Sequence, residues 1–408
     1  MLAALIRFVR QRPFVIIAWL LAAALTISFA WGDLSIALYD ERWRVASNTK
    51  LGRDFANVFT AGQLMWDGDI QSIYDVQAYR DYQSALFDGA VRNHNYSYAP
   101  VSFFYVWLFA LLPYSLSYFL WIGLTGAAFY VAARPYLNEA GLPGWFALII
   151  PAAAANVWAG HYGFLIGALW LGAWRLLETR PRLAGVLIGL MLVKPHLAVL
   201  MPIVLARRGA WTAFLYAALT CVGLIVSSGL IFGWQLWETY LTDTAALQAA
   251  MVDNVGEFFF KMMPTVVPAA LLLGAGMTLA WVLQVGCAIA VIAALWIWMP
   301  RDSMRAGLAA GCATFLVLPY AFNYDLTVVG IAALIALHRG AASGIASIVF
   351  AITAMLAFLL PLSVVELNKL GVPAAPPLIA FLLCAMLARG RWAIGSAERK
   401  KDAAPVAT

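Results

Sequence analysis

From residue 99 onward the chain is a succession of apolar runs with little room between them for soluble structure. The runs cover roughly 99–112, 115–133, 145–156, 162–177, 183–193, 196–206, 211–232, 263–276, 278–299, 306–318, 326–337, 342–363 and 374–388. A helix needs about 20 apolar residues to cross the hydrocarbon core of a bilayer, so the shorter runs cannot all span it independently. Charged residues make up only 11% of the 408, against the roughly 25% that wets a soluble fold. The pattern predicts an all-α polytopic membrane protein. It excludes a disordered chain, a nucleic-acid-binding module and a disulfide scaffold as the main theme. Cys221, Cys287, Cys312 and Cys384 all lie in apolar stretches without metal-type spacing and read as small core residues.

Charge sidedness orders the runs. Arg7, Arg10 and Arg12 precede an apolar run from Pro13 to Trp31, which is long for a signal peptide and reads as an uncleaved first helix with a cytoplasmic start. Residues 33–98 then break the apolar pattern, holding nine of the 20 acids and six of the 26 bases, and read as a long extracytoplasmic loop. Treating 145–156 and 263–276 as re-entrant leaves about 12 transmembrane helices. With both termini cytoplasmic, 16 of the 26 bases then fall on the cytoplasmic side. Only Arg134, Lys194, Lys261 and Lys369 are left on the outer face beyond the loop. Residues 1–388 read as one membrane-embedded domain, and 389–408 as a disordered, basic cytoplasmic tail.

The same topology gathers polar residues at one face. The outer side receives the first loop, Asn156 to His161, Lys194-Pro195-His196, the loop 233–262 and Asn323-Tyr324-Asp325. Ionisable groups at a membrane boundary are costly and tend to line a wet cavity or a site. Breaks at Pro151, Lys194-Pro195 and Pro319 interrupt helices, which membranes tolerate where the freed backbone faces protein or such a cavity. Within the loop, Ala56–Trp66 and the stretch ending at Phe87 are amphipathic and suit surface helices. Asp67-Gly68-Asp69 between them fits either a metal or an ordinary turn. The run from Asn93 to Pro100 is polar and aromatic, suiting a sugar, a phosphate or interface anchoring.

Several motifs recur in one order: Arg53-Asp54-Phe55, Ala61-Gly62-Gln63-Leu64, Tyr98-Ala99-Pro100, Leu112-Pro113, Asn156 before Gly160-His161, Lys194-Pro195-His196-Leu197, and Leu318-Pro319 to Tyr324-Asp325. That order resembles glycosyltransferase family 87, which includes polyprenyl-phosphate-mannose-dependent α-mannosyltransferases, over roughly residues 14–340. Ala99 stands where a second proline is usual, and His161 where the family carries glutamine. The resemblance implies a GT-C-type helical bundle with an extracytoplasmic active site in a bacterial inner membrane. It implies transfer of a hexose, with mannose the family extrapolation, from a polyprenyl phosphate to a lipid or glycan hydroxyl. It also implies inversion, with Asp54 as general base.

That chemistry needs a base near the acceptor hydroxyl and groups that take up the departing phosphate. Asp54 fits the first role, and Lys194, His196 and Arg53 the second. His161, Asn323, Tyr324, Asp325, Asn156 and Tyr98 are candidates for holding sugar or acceptor. A single leaving phosphate can be neutralised by side chains, so neither metal nor cofactor is expected. Asp54 and Asp325 also read as helix caps, and Lys194 as a snorkelling side chain. Two other functions remain open at this point: a lipid-linked sugar flippase or other transporter, and a noncatalytic assembly subunit.

Overall fold

The computed structural model describes residues 51–91, 94–253, 258–339 and 345–388, with scattered positions between 16 and 50. The expected tail at 389–408 and most of the expected first helix at 13–31 lie outside the described residues. The protein is all-α: among the described residues the one β feature is an isolated bridge between Arg44 and Lys50.

The first loop folds into α1 (Arg53–Trp66) and α2 (Val76–Leu86), followed by α3 (Phe103–Phe109). Then come α4 (Tyr114–Ala140), α5 (Pro151–Ala159), α6 (Gly163–Leu176), α7 (Pro181–Leu190), α8 (Met201–Arg207) and α9 (Trp211–Phe232). Short helices α10 (Trp234–Thr239), α11 (Ala245–Ala249), α12 (Phe258–Lys261) and α13 (Val266–Leu272) precede α14 (Met277–Trp298). The chain closes with α15 (Ser303–Val317), α16 (Thr327–Arg339), α17 (Ile345–Lys369) and α18 (Ala375–Leu387). Among the described residues four helices, α4, α9, α14 and α17, are long and apolar enough to cross a membrane. At 1.5 Å per residue the 22 residues of α9 reach about 33 Å. Apolar helices of 10–17 residues surround them.

The bundle has two chemically distinct ends. At one, Arg208 donates to Glu178, to the carbonyls of Pro300 and Arg301 and to the Ser303 hydroxyl. Arg339 donates to the Glu139 carbonyl and Arg305 to the Met386 carbonyl at the same end. At the other end sit α1, α2 and the junctions after α5, before α8 and before α16. Lys194 and Asp325 meet there, and Asn156 Nδ2 donates to the Tyr324 carbonyl at 2.7 Å.

Following the chain between these ends corrects two expectations. Residues 99–112 were expected to run from one face to the other, yet Tyr98 before them lines the cavity and Tyr114 after them donates to the Leu51 carbonyl, so both ends lie at the cavity end. Gly62 of α1 lies against the Val106 carbonyl of α3, Gln63 donates to the Ala110 carbonyl and Trp66 to the Trp107 carbonyl. The apolar surface of α3 is thus shared: it meets the amphipathic loop helix on one side, and the bundle on the other through Phe103 and Phe104 against Phe232 and Tyr105 and Phe109 against Trp121. The segment after α4, expected to be re-entrant, instead makes the pass. Gly144 touches Arg134 near the arginine-rich end, Gly330 touches Ile150 midway, and Gly160 touches Phe55 at the far side. A 3-10 turn at Gly144–Leu148 supplies the length that the nine residues of α5 lack. Ala152 to Ala155 are all buried, the small-residue packing that lets membrane helices approach closely. Because one segment drops out and another enters, the later passes keep their directions. Arg134 moves: it lines a groove with Glu139 and Arg175 at the arginine-rich end, not the outer face assigned to it. The other segment expected not to cross, 263–276, carries only the seven residues of α13, tied at its start by Thr265 to the Pro319 carbonyl.

Candidate active site

Proline sets the site's backbone. Pro151 opens α5 and Pro195 opens a 3-10 turn, each at the first helical position, where its missing N–H costs nothing. The chain after Val317 likewise leaves the helix through Leu318-Pro319. These interruptions bring 156–162, 194–198 and 320–325 to the same end of the bundle as α1 and α2. Between them lies a cavity of about 610 Å³.

One wall comes from the first loop. α1 starts from Gly52, whose left-handed φ of 64° suits glycine, so the cap position is not Asp54. Asp54 instead lies in the first turn, where the helix dipole favours a carboxylate. It is buried, with Oδ1 3.3 Å from His94 Nε2 and 3.6 Å from Arg53 Nε. Its Oδ2 has no hydrogen-bond partner among the described residues. Burial pushes the carboxyl upward, but the Arg53 guanidinium and the adjacent His94 ring hold it well below the usual carboxylate range. Arg53 is itself packed over the rings of Trp158, Phe258 and Phe259, with its centre 4.6, 5.0 and 5.7 Å from them. Asn57, one turn after Asp54, lines the cavity and donates to the Asn95 carbonyl.

The facing wall comes from the bundle. Lys194 Nζ donates to both oxygens of Asp325, at 2.7 and 2.9 Å, and both residues are buried. Two of the three ammonium protons are taken this way, and the side chain still lines the cavity. His161 stacks on Tyr324 with ring centroids 3.8 Å apart, and its Nε2 is 3.0 Å from the Tyr98 hydroxyl. His196 lines the cavity beside Tyr320, whose hydroxyl donates to Gln248. Phe258, Phe259, Phe260 and Met251 make the lining apolar on one side.

A family model described as glycosyltransferase family 87 matches residues 96–319, more than half of the chain. The chain belongs to glycosyltransferase family 87. No match was found among curated proteins or among solved structures. The protein is therefore a membrane glycosyltransferase, and its cavity is the place to look for sugar transfer. Asp54 precedes the matched residues, and Asn323, Tyr324 and Asp325 follow them.

Of the residues singled out in this family 87 glycosyltransferase, Asp54, Tyr98, His161, Lys194, His196 and Tyr324 line the cavity. Four stand behind its walls. Arg53 backs Asp54 and Asp325 backs Lys194. Asn156 Nδ2 bridges the Ala152 and Tyr324 carbonyls, and Asn323 donates to the Pro361 carbonyl. Asp67-Gly68-Asp69 forms the turn after α1: Asp67 accepts from Tyr82 and Asp69 from Ser72. Residues not singled out also line the cavity, notably Asn57, Arg80, His94, Asn95 and Gln248. The polar run at 93–100 contained part of that signal. Arg80, on a loop helix with charges on several faces, carried none.

Proposed function

We propose that this protein transfers a hexose from a polyprenyl phosphate to a hydroxyl of a lipid or glycan acceptor, with inversion at the anomeric carbon. What carries the reading is one cavity that presents a carboxylate with a free oxygen on one wall and a lysine and histidine on the other. In the transfer the acceptor hydroxyl attacks the anomeric carbon while Asp54 takes its proton. The C1–O bond to phosphate breaks, and the phosphate leaves with the electron pair. Lys194, through its remaining N–H, and His196 meet the charge that develops there. A strongly ionised Asp54 is a weak base in isolation, since general bases work best with a pKa near the operating pH. Its value lies in being charged, buried and hydrogen-bond-ready when the hydroxyl arrives.

Mannose is the sugar that the family resemblance favours, and Tyr98 with His161 is placed to orient hydroxyls of any pyranose. The cavity end would face the extracytoplasmic side of a bacterial inner membrane, with the arginine-rich end in the cytoplasm, as the positive-inside rule prefers. The test is transfer of a radiolabelled hexose from a polyprenyl phosphate to lipid or glycan acceptors by the purified protein. Wild type should form product, and Asp54→Asn should form it at least about a hundredfold more slowly. Product formation at an undiminished rate in the variant removes Asp54 as the base.

A further inference from the structure

Among the described residues, each charge lining the cavity has a counterpart except one. Asp54 is backed by Arg53, and Lys194 by Asp325, so both walls carry compensated charge. Arg80 of α2 also lines the cavity, yet it forms no ion pair among the described residues. What holds it is a neutral amide: its Nε donates to Asn95 Oδ1 at 2.8 Å. Asn95 is itself fixed, because its carbonyl accepts from Asn57 Nδ2 at 2.9 Å. Tyr79, the residue before Arg80, donates from its hydroxyl to Asn57 in turn. The guanidinium is thus aimed by a chain of hydrogen bonds that uses one of its five N–H groups and leaves its charge without a counterpart among the described residues.

Its place on the wall decides what it can meet. Inversion requires the nucleophile to enter opposite the leaving group, so acceptor and donor phosphate occupy opposite sides of the anomeric carbon. Asp54 must touch the acceptor hydroxyl, and Asn57, Asn95 and Arg80 continue that same wall. Lys194 and His196 lie on the other. An anion reaching Arg80 therefore belongs to the acceptor. The planar fork of arginine suits carboxylate or phosphate oxygens in particular.

We propose that Arg80 is a specificity-determining residue that recognises an oxyanion, carboxylate or phosphate, on the acceptor near its reacting hydroxyl. The inference rests on reading Asp54 as the base, since that places the acceptor along this wall. It makes the acceptor an acidic glycolipid or glycan.

The test is equilibrium binding, without turnover, of three short-chain probes to the purified full-length protein. They are a glucosyl diacylglycerol, a glucuronosyl diacylglycerol and phosphatidylglycerol. Wild type should bind at least one acidic probe about tenfold or more tighter than the neutral one, the scale of a hydrogen-bonded charge contact. Whichever acidic probe binds tighter distinguishes carboxylate from phosphate. Arg80→Gln should bind all three alike, and Arg80→Lys should retain part of the preference. Binding of a polyprenyl-phosphate hexose should be unchanged in both variants. Equal affinities in wild type, or a preference that survives Arg80→Gln, overturns the proposal. So does a loss confined to the donor, which would make Arg80 a donor contact. Because no turnover is read, loss of the donor reading leaves the comparison decisive.

Discussion

The two walls of the cavity each hold one buried aspartate, and the aspartates are treated differently. On the bundle wall both oxygens of Asp325 receive Lys194, whose ammonium is locked in a bidentate contact. On the loop wall Asp54 is flanked by Arg53 and His94 at longer range, and its Oδ2 has no hydrogen-bond partner among the described residues. A carboxylate that is fully hydrogen-bonded orients its neighbour; one with an open lone pair can accept a proton from a substrate. Two like groups in one site take separate roles because their environments differ.

The sharpest way to break this contrast is to neutralise each aspartate in turn. Asp54→Asn keeps shape and removes basicity, and should lower kcat by about 10²–10⁴-fold. A variant that keeps its rate makes the two walls equivalent. Asp325→Asn leaves Lys194 buried with a weakened partner, and should destabilise the fold by about 3 kcal/mol or more in addition to slowing transfer. Thermal unfolding ranks the two: Asp325→Asn, which strands a buried lysine, should melt earlier than Asp54→Asn, which loses only the contribution of its ionised carboxylate.

Arg53→Gln is a finer probe. Asp54 is now held ionised below its unfolded range, so its contribution to stability is present at neutral pH and is lost as pH falls through the folded value. Without the guanidinium, burial opposes ionisation with less to counter it. The acid limb of kcat/KM should therefore move to higher pH, read from rates across about pH 4 to 8. An unmoved limb would mean that His94 alone keeps the carboxylate charged. The smallest effect concerns metal. Among the described residues no group of three or more metal-ligating side chains is present, and chelation with EDTA should leave turnover unchanged. Loss of activity that added divalent cation restores would refute neutralisation of the phosphate by Lys194 and His196 alone.

Much of the site was legible because its signals are local. Proline at residues 151, 195 and 319 marks where helices stop, and a lysine or aspartate beside such a break is costly enough to stand out. The error over 99–112 and 145–156 has a different origin. Hydropathy reports that a face is apolar, not what covers it: Phe103 and Val106 of α3 are buried in part by a loop helix that sequence treats as an exterior feature. The alanines of α5 make a weak apolar signal, yet small side chains are what a packed interior pass needs. Arg80 and His94 were illegible for a third reason. Their partners, Asn95 and Asp54, lie 15 and 40 residues away in sequence, and only the folded loop juxtaposes them.

Gly160 gives the mounting of the base a tolerance that can be put in ångströms. It sits at φ 71°, and a methyl group placed on it would come within 2.6 Å of Phe55 Cβ and 3.2 Å of the Phe55 nitrogen. Phe55 is the next residue after Asp54, so the end of α5 acts as a stop against which α1 is seated. Displacing that stop by a methyl's width would carry the carboxylate through a distance comparable to the misplacement that costs about a hundredfold in rate. The alignment of the proposed base is gauged by a hydrogen atom on a residue more than a hundred positions along the chain.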